Sequence, residues 1–180
     1  IIMFIFVSQV STVCADDVDY DDFNQWEIEE NITEEAVSNN VTEGPSINSK
    51  RFVIYDRISK TIIWGKDEKI RSAMASTTKI MTATIVIENA NLNDEVTISS
   101  KAGGTGGSRL GLKSGDKITV NDLLYGLMLR SGNDAAVALA EHVGGSVEKF
   151  AEIMNKKAEE LKLTNTHFVT PHGLDNSEHY

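Results

Sequence analysis

In the stretch Ala73 to Ile87, AMASTTKIMTATIVI, two side chains could do chemistry together: Ser76 and, three positions on, Lys79. A serine hydroxyl is a weak nucleophile until a neighbouring base takes its proton. Three residues apart on a helix, the two side chains share a face and can meet. Every other residue of the stretch is apolar, small or a neutral hydroxyl. Such a run reads as a helix, from about Ser76 to Ala90, buried on all sides. Burial disfavours an ammonium and lowers a lysine's pKa, which suits Lys79 to act as a general base. Ser76 falls in the first turn, where free N–H groups and the positive end of the helix dipole favour a developing oxyanion. A plain structural role also fits: Ser76 capping the helix, and Lys79 extending its amine to solvent. Spacing does not choose between them. Ser114 with Lys117 and Ser146 with Lys149 repeat it in settings that read as surface.

A second element, Ser131-Gly132-Asn133, interrupts two apolar helices. At such a break a hydroxyl and an amide two apart can point together into a cleft. Ser131 could pass a proton, and Asn133 could hold a substrate carbonyl or amide and contact Lys79. The alternative is that these residues only cap and turn the helices, which Ser, Gly and Asn do readily.

The elements around these residues follow from periodicity. Arg51–Asp56 and Thr61–Lys66 are β-rich runs that predict an antiparallel hairpin. Lys101–Asp116 is rich in glycine but matches neither a phosphate loop, with Leu112 where the lysine belongs, nor a dinucleotide fingerprint. A flexible surface loop is expected. A helix over Asn121–Leu129 is opened by Asn121 or Asp122. A second, over Asp134–Val143, carries its acid where the dipole favours it and ends at Gly144-Gly145. Ser146 opens a third, with Phe150, Met154, Ala158 and Leu161 on one face. Thr164–Tyr180 reads as loop.

The 180 residues carry a net charge of −10, unevenly spread. Eleven acids and no Lys or Arg lie between Asp16 and Glu43, leaving 16 acids against 17 basic residues elsewhere. The segment 16–50 is therefore expected to be an acidic disordered linker. No basic stripe points to nucleic acid. Residues 1–15 (IIMFIFVSQVSTVCA) read as a partial secretory signal with Val13 and Ala15 at the small positions before cleavage. Cys14 is the single cysteine and would leave with that signal, excluding disulfides and thiol catalysis from the rest. The four histidines lack the spacing of a metal site. His167, His172 and His179 lie in the loop-like tail and need only a structural role.

Taken together, the serine–lysine and serine–glycine–asparagine elements belong with a Lys-Thr-Gly element in penicillin-binding proteins. ASTTKIMTA (Ala75–Ala83), DLLYGLMLRSGNDAAVALAEHVGGS (Asp122–Ser146) and MNKKAEELKLTNTHFVTPHGLDNSEHY (Met154–Tyr180) resemble the serine D-alanyl-D-alanine carboxypeptidases, the low-molecular-mass penicillin-binding proteins. The resemblance runs from Phe52 to Tyr180. It implies an α/β, β-lactamase/transpeptidase-like fold, a sheet flanked by helices with an all-helical lobe, of which 51–180 is the N-terminal part. It implies that Ser76 attacks the bond between two D-Ala residues of a peptidoglycan stem pentapeptide while Lys79 takes its proton. Ser131 relays protons, Asn133 orients the substrate, and the Ser76 N–H contributes to an oxyanion hole. β-Lactams would acylate the same serine, and neither cofactor nor metal is implied. The enzyme would be exported and work at the cell envelope, with membrane association through a C-terminal segment outside this chain. Lys-Thr-Gly and its strand are absent before Tyr180, so truncation at the C-terminal end is expected, and the lack of an initiator Met and a basic n-region makes truncation expected at the front as well. Ser59-Lys60 stands in the hairpin turn where the family often has glycine. A class A β-lactamase or a peptidoglycan endopeptidase of the same fold, or a non-catalytic wall-binding module, are the alternatives. The first would need a further glutamate to activate the deacylating water, and none stands in a matching context.

Overall fold

The computed structural model describes residues 46–174 and 176–180. The expected signal and most of the acidic linker lie outside the described residues. Lys69–Tyr180 forms one compact unit, and the described residues up to Glu68 belong to another.

In the unit that ends at Glu68, β1 (Phe52–Asp56) and β2 (Thr61–Lys66) form the antiparallel hairpin that their β-branched and aromatic residues predict. Its register slips between Ile54 and Tyr55, and Phe52 packs edge-on against Trp64, with ring centroids 4.6 Å apart. The Asp56 carboxylate closes the turn by accepting the N–H groups of Ile58 and Ser59. Lys60 there has φ +55°, a left-handed conformation that glycine adopts without a steric cost.

The unit Lys69–Tyr180 is built around one helix. α1 (Thr78–Asn89) follows a 3-10 turn at Ala75–Thr77. α3 (Val120–Leu129), α4 (Asn133–Gly144) and α5 (Val147–Glu160) follow in order. All eight residues Asn133–Ala140 of α4 are buried. The alanines of this segment leave room for α1, α3 and α5 to pack against it. Ile85 and Val86, Leu123 and Leu127, Leu139, Phe150 and Met154 fill the space between them. Burying such side chains stabilises by about 1.5–3 kcal/mol each.

Several expectations change in detail. α1 is not buried on all sides: Ile80 and Ile87, on one face with the half-buried Thr84, are 53% and 60% exposed. An apolar pattern reports what a residue tolerates, not whether a neighbour covers it. α3 is capped by Thr119, whose hydroxyl accepts the Asp122 N–H, rather than by Asn121 or Asp122. Ser146 caps α5 as read, through the Lys149 N–H, after Gly145 turns left-handed at φ +77°. Phe150, Met154 and Ala158 are buried, whereas Leu161 lies past the helix end and is exposed.

A small sheet escaped the sequence reading. β3 (Glu95–Thr97) pairs antiparallel with β4 (Lys117–Thr119). At three residues each, these strands are too short to show an alternation. Between them, α2 (Ser100–Gly103) is capped by Ser99 and takes up the first three residues of the glycine-rich segment. This segment is not the free loop expected, because α4 holds it through the contacts given below. The described residues of the tail form no helix or strand, yet Phe168, Pro171, Gly173 and His179 are buried in it. Asn155 on α5 fixes it by accepting the Phe168 N–H and donating to the Phe168 carbonyl. Among the described residues no helix is long and apolar enough to cross a membrane.

Candidate active site

Ser76 stands in the 3-10 turn just before α1, and Lys79 stands in the first turn of α1. Their side chains meet as the spacing predicts: Lys79 Nζ is 3.3 Å from Ser76 Oγ. The Ser131 hydroxyl, reaching from the α3–α4 break, donates to the same Ser76 Oγ at 3.0 Å. Two conformations that side chains seldom adopt frame this hydroxyl pair. Ala75 has φ +47° and Ser131 φ +54°. Left-handed residues other than glycine cost of order 1–3 kcal/mol and cluster where function fixes the backbone. At Ser131 the conformation turns the chain out of α3, with the Gly132 N–H bonding back to the Gly126 carbonyl at 3.2 Å.

Lys79 is buried, at 3% exposure, and burial holds its pKa below the usual lysine value. Among the described residues no carboxylate pairs with it. Its one other hydrogen bond among them runs from Nζ to the His172 carbonyl at 3.0 Å. A neutral amine has two N–H groups and one lone pair. With one N–H on that carbonyl, the lone pair is free to face Ser76 Oγ and accept its proton.

Asn133 is buried at the start of α4. Its amide donates to the Gly106 carbonyl at 2.8 Å, while its own N–H bonds to the Ser108 carbonyl. The contact expected with Lys79 is not among its hydrogen bonds; the glycine-rich segment takes its amide instead. Asp134, next in sequence, is wholly buried and accepts four N–H groups, from Leu110, Gly111, Leu112 and Ala135, at 2.9 to 3.1 Å. Burial works to raise its pKa, but these donors outweigh it and hold the carboxyl below its ordinary value. A carboxylate that accepts two or three backbone N–H groups stays ionised. The residue read as a dipole partner is thus the clamp of the loop opposite.

The result is an open cleft of about 280 Å³. Ser76 and Asn133 line it together with Gly107 and Ser108 on one wall and His172, Gly173 and Leu174 on the other. Both walls are backbone at close quarters. A Cβ at Gly107 (φ +80°) would meet Asn133 Nδ2 at 2.6 Å, and one at Gly173 (φ +77°) would meet the Ala75 carbonyl oxygen at 1.9 Å. His172 is pushed down to about 4 by burial first, then by the charges of Lys79 and His179, so its imidazole is neutral near pH 7. Of the residues expected from sequence, Ser76, Lys79 and Ser131 form one hydrogen-bonded group, and Asn133 lines the same cleft. Sequence reasoning missed Asp134 as a clamp and the His172 carbonyl as a lysine acceptor. No residue type signals a carbonyl. The signal available for Asp134 was an acid directly after the asparagine of a cleft motif. Among the described residues, no group of three or more His, Cys, Asp or Glu side chains is arranged to hold a metal ion.

A serine hydroxyl that meets a buried lysine amine and a second serine from a helix break has the arrangement that serine acyl transfer calls for, and the fold agrees with that class. The chain resembles the crystal structure of penicillin binding protein 5 from Haemophilus influenzae with a TM-score of 0.72 at 36% identity, over 78% of this chain and 43% of that one. The fold is accordingly that of the penicillin-binding DD-peptidases. Residues 38–180 match the D-alanyl-D-alanine carboxypeptidase family of peptidases (Peptidase_S11), and the chain belongs to that family. It is 41% identical over 137 residues to the D-alanyl-D-alanine carboxypeptidase DacF of Bacillus subtilis, covering 73% of this chain and 35% of DacF. It is 40% identical over 146 residues to DacC of Escherichia coli, covering 74% and 36%. The chain thus spans about a third of the length of these relatives.

Proposed function

We propose that this protein is a serine-type D-Ala-D-Ala carboxypeptidase that removes the terminal D-alanine from peptidoglycan stem pentapeptides through an acyl-enzyme on Ser76. One observation carries the reading: Ser76 Oγ lies between the buried amine of Lys79 and the hydroxyl of Ser131. Lys79 accepts the Ser76 proton as Oγ attacks the carbonyl carbon between the two D-Ala residues. The oxyanion forms near the Ser76 N–H, at the start of the helical turn, where the dipole favours it. Ser131 and Lys79 return a proton to the leaving D-Ala nitrogen. Water then attacks the ester, with the same two groups handling its proton, and Ser76 is restored. Asn133 orients the peptide: one amide N–H is held on Gly106, which leaves its carbonyl oxygen for a substrate N–H. A β-lactam presents a strained amide in the same position and acylates Ser76.

The substrate lies outside the cytoplasmic membrane, so this reading includes export, with residues 1–15 as the signal and 16–50 as a linker to the catalytic domain. The test is acylation of the full-length protein by a fluorescent penicillin, together with release of D-alanine from a pentapeptide ending in D-Ala-D-Ala. Both are expected for the native protein and neither for Ser76→Ala. Equal labelling of the two proteins would show that Ser76 is not the nucleophile. Labelling without D-alanine release would leave a penicillin-binding protein with another reaction.

A further inference from the structure

His179 belongs to no part of the chemistry above, yet it is among the most buried polar side chains, at 3% exposure. Its two ring nitrogens have different partners. Nδ1 faces two backbone donors, the N–H groups of Val169 at 3.0 Å and Thr170 at 3.4 Å. Nε2 is 2.8 Å from Thr78 Oγ1. A nitrogen facing two N–H groups must present its lone pair, so the ring proton sits on Nε2 and is donated to Thr78. Phe168 packs edge-on against the ring, with centroids 5.7 Å apart.

These partners matter because of where they lie. Thr78 is the first residue of α1, directly before Lys79. Val169 and Thr170 open the segment that lies along α1. In that segment the Pro171 carbonyl accepts from Thr82 Oγ1 at 2.7 Å, and the His172 carbonyl accepts from Lys79 Nζ at 3.0 Å. Gly173 follows, against the Ala75 carbonyl. One imidazole therefore ties the entry of this segment to α1 a single residue away from Lys79.

We propose that His179 is a positioning residue for the Ser76–Lys79 pair: its Nε2–H imidazole pins Val169–His172 on α1, so that the His172 carbonyl takes one Lys79 N–H and turns the amine lone pair toward Ser76. The proposal rests on the carboxypeptidase reading. It specifies a donor on one edge of the side chain and an acceptor on the other. Gln can supply both through its amide. Phe, which keeps the ring volume against Phe168, supplies neither. The titratable groups around the ring are His167, whose charge acts on it, and His172, which it influences in turn and which also feels Lys79.

The experiment uses the full-length protein with His179→Phe, His179→Gln, Thr78→Val and Ser76→Ala. Acylation by a fluorescent penicillin is followed by stopped flow, separating the binding constant from the acylation rate constant across pH. For His179→Phe the acylation rate constant is expected to fall about tenfold or more with little change in binding, because small displacements of reacting groups are costly. Its rise with pH should move to higher pH, since a loosened segment lets water reach Lys79 and restores the ammonium. Thr78→Val should move the rise in the same direction, and it decides the question if His179→Phe does not fold. His179→Gln should stay within about threefold of native, as a donor–acceptor amide keeps both hydrogen bonds. An unshifted pH profile in His179→Phe and Thr78→Val, with loss only in the fraction of protein labelled, would overturn the proposal. So would equal losses in the Gln and Phe variants. Labelling that survives Ser76→Ala would instead overturn the carboxypeptidase reading itself.

Discussion

Removing the Asp134 carboxylate is expected to weaken the fold and free one wall of the cleft. In Asp134→Ala, the N–H groups of Leu110, Gly111 and Leu112 lose their acceptor, and so does that of Ala135 at the start of α4. A hydrogen bond to a charged group is worth about 1.5–3 kcal/mol. Water can reach Gly111, which is exposed, but reaches the half-buried Leu110 and Leu112 less well. The two bonds lost outright alone give a destabilisation of about 3–6 kcal/mol, and the two partly replaced ones add to it. That is a large share of the roughly 5–15 kcal/mol that keeps a domain folded. Asp134→Asn keeps one acceptor oxygen but turns an NH₂ toward the remaining donors, so about 2 kcal/mol is expected. The assay is urea unfolding of the full-length protein at pH 7, paired with amide hydrogen exchange over residues 108–112. The exchange should quicken selectively there. The pH dependence supplies a further check. The native carboxyl titrates below the ordinary 3.8, so its stabilisation is complete above that value. It is lost as pH falls through the lowered native pKa, because the unfolded chain takes the proton first. The variants should lack this acid-limb contribution. A change under about 0.5 kcal/mol in Asp134→Ala, the range of an ordinary surface substitution, with unaltered exchange at Leu110 to Leu112, would refute the clamp.

Three other outcomes follow from the geometry. Gly173→Ala puts a Cβ at φ +77° and 1.9 Å from the Ala75 carbonyl oxygen. It should cost more than about 3 kcal/mol and abolish penicillin labelling. A folded, labelled variant would refute the close approach. Lys60→Gly relieves a left-handed lysine and should stabilise the hairpin by about 0.5–1 kcal/mol; a lower urea midpoint would contradict this. His172 titrates at about 4 in the folded protein against 6.5 ordinarily. Its contribution to stability is therefore whole above pH 6.5 and declines as pH falls toward 4, the unfolded chain binding the proton first. Urea midpoints between pH 7 and 4 should fall less steeply in His172→Gln, and equal slopes would count against a buried neutral ring.

The sequence disclosed whatever rests on local pattern. The hairpin, the caps at Gly145 and Ser146, the buried face of α5 and the meeting of Ser76 with Lys79 all depend on residues a few positions apart. Long-range partners were not legible. The glycine-rich segment looked free because its composition permits motion, while its restraint comes from Asn133 and Asp134, more than twenty residues on. His179 looked like a loop residue because its partners Thr78 and Val169 have no motif. Ile80 and Ile87 on α1 show the converse limit. Their apolar character was plain, and their exposure was not. Which neighbour Asn133 chooses was likewise beyond the pattern, since an amide serves a carbonyl and an amine equally well.

On the carboxypeptidase reading, with β-lactams acylating Ser76, the two glycines of the cleft walls bear on how the site can change under antibiotic selection. In many pockets the shortest mutational route to excluding a bulky inhibitor is a larger side chain in its path. At Gly107 and Gly173 that route is closed: a Cβ would strike the side chain of Asn133 or the backbone beside Ser76 before it reached an inhibitor. The change would damage the reaction along with the drug's access. Adaptation is left with Ser108 and Leu174, the exposed side chains of the same two walls. These are the positions at which resistance substitutions in this part of the protein should accumulate.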